Sequence, residues 1–144
     1  MQQRLEFFVP SPVKKKGVVQ PMPGLNELIR AAGTSKFAYE RLKGGVGRTT
    51  EKYALEAAKA HDWKTPATLS RVTLTFVERN HRRDLDNIFG GAKAVIDGIT
   101  RPRAGKKYGA GVIVDDSQRW CYPLFDVAYD AENMGVYVCI ETEE

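Results

Sequence analysis

An alternating segment handed directly to a helical stripe constrains this chain more than any other feature. In residues 69–77, Val72, Leu74 and Phe76 fall on one face and Arg71, Thr73 and Thr75 on the other. That is the period of a half-buried strand. After residues 80–84, apolar side chains recur at Ile88, Ala92, Val95, Ile96 and Ile99, the spacing of one helix face. The polar side of that helix collects Asp86, Gly90, Lys93 and Asp97. With no internal repeat and no linker, the pattern predicts one α/β (α+β) domain spanning residues 1–144.

The flanks add further elements. Residues 4–9 have strand character, ended by Pro10 and Pro12, and Lys14-Lys15-Lys16 follows as a basic loop. Leu25, Leu28 and Ile29 have the spacing of a short helix. Residues 36–61 are mostly helical in pattern, with Phe37, Tyr39, Tyr53, Ala54, Ala57 and Ala58 as candidate buried positions. Gly44-Gly45-Val46-Gly47 interrupts them and predicts a flexible joint between two helices, the second capped by Thr49 or Thr50. The cluster is not a Walker loop, because no Gly-Lys-Ser/Thr follows it. Residues 112–114 have β character, and residues 124–129 and 136–140 predict an antiparallel pair joined around residues 130–135.

Composition narrows the function classes. The 144 residues contain no apolar run of about 18, and the N-terminus lacks the layout of a secretory signal. A cytoplasmic protein without a membrane partner is expected. Cys121 and Cys139 form no C-x-x-C pair and are expected as buried strand residues. With only His61 and His81 beside them, any metal must be held mainly by oxygen. All 22 Lys and Arg lie in residues 1–119, whereas residues 120–144 hold six of the 18 acidic residues and no basic one. So uneven a basic field suggests a polyanionic partner.

The acidic residues sit where such a partner would meet them. Arg82-Arg83-Asp84-Leu85-Asp86-Asn87 follows the alternating strand. If that stretch is extended, Asp84 and Asp86 project to one side and both reach one cation. Asp86 is equally suited to cap the following helix. A second pair, Asp115-Asp116, ends the β run at residues 112–114, and one of the two is expected to face the site. Magnesium favours carboxylate oxygens, water and substrate phosphate, and metal ions acidify the attacking water and neutralise the leaving oxygen in phosphodiester hydrolysis. Asp84, Asp86 and Asp116, with a nearby Lys or Arg, supply such a site. Between the two pairs, residues 100–111 form a glycine-rich basic loop with Arg101, Arg103, Lys106 and Lys107, in which Tyr108 is placed to stack on a base.

The succession Arg-Asp-Leu-Asp-Asn, then Lys-Ala-Val-Ile-Asp-Gly-Ile, then Val-Asp-Asp-Ser-Gln resembles the RusA-type crossover junction endodeoxyribonucleases. The match covers residues 82–99 and 112–119. It implies a small homodimeric α/β protein, with a mixed sheet and flanking helices, that binds four-way DNA junctions and cuts them with magnesium, or with manganese in its place. Carried over by position, Asp84, Asp86 and Asp116 would be the metal-binding catalytic acids, Asp115 an accessory ligand and Lys93 the catalytic lysine. From the basic field itself rather than from the resemblance, Lys14, Lys15, Lys16, Arg82, Arg83, Arg101, Arg103, Lys106, Lys107 and Arg119 are the expected DNA contacts. No small-molecule cofactor is implied. The chain departs from the family's pattern at Gly90-Gly91-Ala92, which puts Lys93 seven residues beyond Asp86. On an unbroken helix that is roughly 10 Å further along the axis. The basic loop is also longer than the family's usual connection.

From a different class, a non-catalytic protein selective for branched DNA accounts for the same residues if the acids cap helices and balance basic neighbours. A glycosyltransferase using Asp-x-Asp fits poorly, because the chain is short for a nucleotide-sugar fold and its basic field has no role there.

Overall fold

The computed structural model describes residues 2–143. It begins with strand β1 (Gln2–Pro10) and a small hairpin, β2 (Lys14–Lys15) and β3 (Val18–Val19). Helices α1 (Leu25–Thr34) and α2 (Lys36–Ala60) precede strand β4 (Ser70–Glu78). Two short helices, α3 (Leu85–Phe89) and α4 (Ala92–Ile99), lead to β5 (Cys121–Tyr129) and β6 (Gly135–Glu143). Four strands form one mixed sheet in the order β1-β6-β4-β5, so the class read from the sequence holds.

β4 is the axis of the molecule. Val72, Leu74 and Phe76 are buried as the alternation requires. They stand opposite Ile140, Val138 and Val136 of antiparallel β6, which in turn sets Ile140 and Val136 against Leu5 and Val9 of β1. The helices supply the second layer: Val46 and Ala54 from α2, Ile88 from α3, and Ala92, Val95, Ile96 and Ile99 from α4 all enter one apolar cluster. Fully burying an aliphatic or aromatic side chain stabilises by roughly 1.5–3 kcal/mol, and this shared cluster holds the layers together.

Five local expectations are corrected. The stripe from Ile88 to Ile99 is buried, but Gly90 and Gly91 divide it into two helices, because Gly91 lies against the Pro23 carbonyl and Gly90 against Leu25. α2 is continuous through its glycines, and Thr49 and Thr50 do not cap a second helix. Their hydroxyls donate back to Gly45 O and Val46 O, each at 2.8 Å. The last two strands do not pair with each other. β4 lies between them, parallel to β5 and antiparallel to β6. Residues 112–114 are not a strand but a bend tied to the end of α4. Finally, the tri-lysine segment is a hairpin rather than a loop, turning on Lys16 and Gly17 at φ 52° and 78°, a left-handed conformation suited to such a turn.

Cys121 is buried and Cys139 half-buried, both free. Burial pushes the Cys121 thiol up to about 11. Among the described residues no helix is long and apolar enough to cross a membrane.

Candidate active site and basic cleft

The segment after β4 divides its residues by direction. Glu78, the last residue of β4, is 2% exposed on the core side. Arg83 clasps it through Nε to Oε1 at 2.8 Å and Nη2 to Oε2 at 2.7 Å, while also donating to Met22 O and pairing with Glu27. Four residues on, buried Asn87 accepts from the Asn26 backbone N–H at 2.7 Å and so closes the first turn of α1. Arg83 and Asn87 are therefore bolts between this segment and α1. Arg83, expected on DNA, has its guanidinium engaged by protein.

With Arg83 and Asn87 turned inward, Arg82, Asp84 and Asp86 are left exposed. Asp84 has extended backbone just before α3, and Asp86 lies in the helix's first turn. The two are thus not neighbours along one extended run, as the sequence suggested. Neither carboxylate has an ion-pair partner among the described residues.

The second acidic pair is carried by the bend. Val112 and Ile113 donate to Ile99 O at 3.0 and 3.3 Å, and Trp63 Nε1 donates to Val112 O at 2.8 Å. Pinned between the ends of α2 and α4, the chain then runs to Asp115 and Asp116. Asp116 pairs with Lys93 in the first turn of α4, and Asp115 pairs with Arg103 at 3.0 Å. The break at Gly90-Gly91 removes the unbroken-helix geometry that had set Lys93 apart. The Lys93 hydrogen bond holds the Asp116 carboxyl below the usual carboxylate range. Burial opposes the charge on Lys93, but Asp116 and Asp97 outweigh it and raise its ammonium.

Asp97, on the polar side of α4, is a site residue outside both acidic pairs of the sequence. It is 3% exposed, one turn beyond Lys93, and gathers three cations: Lys93 at 3.0 Å, Lys43 of α2 at 3.4 Å and Arg103 at 3.9 Å. Its Oδ1 receives no aligned hydrogen bond among the described residues. Lys106, expected on DNA, donates to Asp97 O at 2.8 Å and Thr100 Oγ1 at 2.7 Å, and burial lowers its pKa. The i, i+4 spacing of Lys93 and Asp97 was the one signal in the sequence that tied Asp97 to this cluster.

The remaining expected DNA contacts stay on the surface. Lys14, Lys15, Lys16, Arg101, Lys107 and Arg119 are exposed, Arg119 lying over Trp120 at 5.1 Å. Tyr108 packs its ring against Gly47 of α2, with Arg48 5.5 Å and Lys106 5.8 Å from the ring centre. That ring is spent on packing rather than free to stack.

Carboxylate oxygens are the right donors for magnesium, which is commonly bound by one or two of them together with water and phosphate. Asp84 and Asp86 fit that role by donor type, exposure and lack of a cation partner. Among the described residues, no three or more His, Cys, Asp or Glu side chains stand close enough together to hold a metal ion. The structure brings Asp115, Asp116 and Lys93 together and leaves Asp84 and Asp86 exposed. No protein-family model, curated protein or solved structure matches the chain.

Proposed function

We propose that the protein is a magnesium-dependent, structure-selective DNA endonuclease of the RusA type that resolves four-way junctions by paired nicking. The observation that carries this reading is the Lys93–Asp116 pair. Two residues that the resemblance assigns to one site, 23 apart in the chain, meet through the fold. Asp84 and Asp86 would hold the metal, with Asp116 the third candidate and Asp115 an accessory one. Magnesium, or manganese, would supply an acidified water and charge neutralisation at the phosphate. The chain's own contribution is a fixed cation, because Lys93 is oriented by Asp116 and Asp97 and presents positive charge where a phosphate oxygen gains negative charge. Exposed Arg82, Arg101, Lys107, Arg119 and the tri-lysine hairpin would track the backbone. A homodimer matches the two-fold symmetry of a junction, and the open edges of the sheet, β1 and β5, are the surfaces offered to a second copy.

The non-catalytic reading keeps one specific support: Asp115 and Asp116 are already neutralised by Arg103 and Lys93. Incubation with a synthetic four-way junction and with linear duplex of matching sequence, each with magnesium or a chelator, separates the two. Paired nicks in opposed strands of the junction alone, abolished by the chelator, are expected. The Asp86→Asn variant should lose cleavage and keep or tighten junction binding, since negative charge near phosphate is removed. Tight junction binding without cleavage in magnesium or manganese replaces the nuclease with the binding protein, and full cleavage by Asp86→Asn overturns the site.

A further inference from the structure

Beside the Lys93–Asp116 pair, α2, α4 and the basic loop enclose a cleft of about 500 Å³. Its walls carry six cations, Lys43, Arg48, Lys93, Arg103, Lys106 and Lys107, against two acids, Glu40 and Asp97. No motif in the sequence singled out the α2 members. Lys43, Lys93 and Arg103 all stand within 4.0 Å of the Asp97 carboxylate, and Lys106 is tied to the Asp97 carbonyl. Asp116 and Asp115, beside the cleft, pair with Lys93 and Arg103, so that with Glu40 and Asp97 four carboxylates face six cations. A net positive charge remains, and phosphate oxygens complement it.

Size and lining narrow the anion. The volume is in the range that encloses a small organic ligand, enough for about one or two nucleotides and too small to engulf a duplex. Tyr39, half-buried in the cleft wall with Lys43 Nζ 5.9 Å from its ring centre, adds an aromatic surface next to the cations. Aromatic side chains beside a positive groove are the means by which single strands are held without sequence preference.

We infer that this cleft seats a single DNA strand, its phosphates on Lys43, Arg48 and the loop cations and a base against Tyr39. The inference rests on the nuclease reading for its substrate, but it is tested on binding alone. A strand seated there leads directly to Lys93.

The test is fluorescence anisotropy of a labelled oligothymidylate of about ten nucleotides with the intact protein in chelator. Arg48→Glu combined with Lys107→Glu changes two exposed cleft residues and should raise Kd at least tenfold. Lys52→Glu combined with Lys59→Glu, the same charge change on α2 outside the cleft lining, should stay within about threefold. Tyr39→Ala should raise Kd about fivefold or more. Equal losses from both charge reversals, or no loss from the cleft pair, overturn the inference. So does competition by thymidine monophosphate as effective, per nucleotide, as by the oligomer, which would make the cleft a mononucleotide pocket. Because no cleavage is involved, oligomer binding with an inert junction leaves this inference standing and removes the nuclease. Junction cleavage with no oligomer binding does the reverse.

Discussion

At Glu78 a carboxylate ends the central strand on its buried side, and Arg83 makes that burial tolerable. Burial alone would lower the arginine's pKa, but the hydrogen bonds and charges of Glu78 and Glu27 outweigh it and raise it. Removing one partner of such a pair leaves an uncompensated buried charge, which costs about 3–5 kcal/mol, whereas replacing both is far milder. Arg83→Met is therefore expected to lower unfolding free energy by about that amount in urea titration, and Glu78→Gln combined with Arg83→Met to recover most of it. The second residue-scale prediction concerns Lys93 and Asp116. A carboxyl whose pKa is depressed by folding contributes stability above its unfolded value, near 3.9, and loses it as pH falls through the folded value. The raised Lys93 contributes below its unfolded value, near 10.4, and loses its part only on the alkaline side. Lys93 is half exposed, so solvent screening limits the pair to about 1 kcal/mol or less. Urea midpoints should place Lys93→Met below the parent at about pH 7 and close the gap towards about pH 3. A gap that persists in acid would assign the loss to packing.

At the scale of elements, the glycines of α2 explain why the expected joint is a helix. A Cβ on Gly47 would run into the Tyr108 ring, and one on Gly98 of α4 would sit 2.5 Å from Thr50 Cβ and 2.6 Å from Gly47 O. Gly47 and Gly98 are where the basic loop and α4 press against α2, so tertiary contact there outweighs poor helix propensity. Gly98→Ala should cost about 1–3 kcal/mol through overpacking. Gly45→Ala, with nothing within 4 Å of the new Cβ, should gain roughly 0.5–1 kcal/mol. Differential scanning calorimetry or urea unfolding of the two variants checks both signs. A propensity reading cannot tell a glycine that breaks a helix from one that admits a neighbour. The two last strands failed for a related reason, since alternation reports a strand's faces and not its partners. Pro123 was the available signal, because a residue without a backbone N–H belongs on an edge strand, and β5 is an edge.

For the whole molecule, the junction experiment joins the charge asymmetry, the exposed acids and the cleft into one activity. The sequence by itself determined the periodic elements. Strand alternation through Phe76 and the stripe from Ile88 to Ile99 depend on burying one face, and that demand is written in side-chain spacing. It also determined the chemical character of the candidate site, since the donor and acceptor types of its side chains are fixed by residue identity. Only the tertiary structure decided which of them meet. Arg83 and Lys106 left the expected DNA surface because Glu78, Asp97 O and Thr100 needed donors. Asp97 became the anchor of a cationic cleft because α2 and the basic loop close over it. Lys93 came to Asp116 because a bend, pinned by Trp63 and Ile99, delivers the partner to the first turn of α4. The Lys93–Asp116 pair joins residues 23 apart in the chain, whereas Arg83–Glu78 and Lys106–Asp97 are only five and nine apart; all are set by packing and by the need to satisfy buried polar groups, which local spacing does not encode.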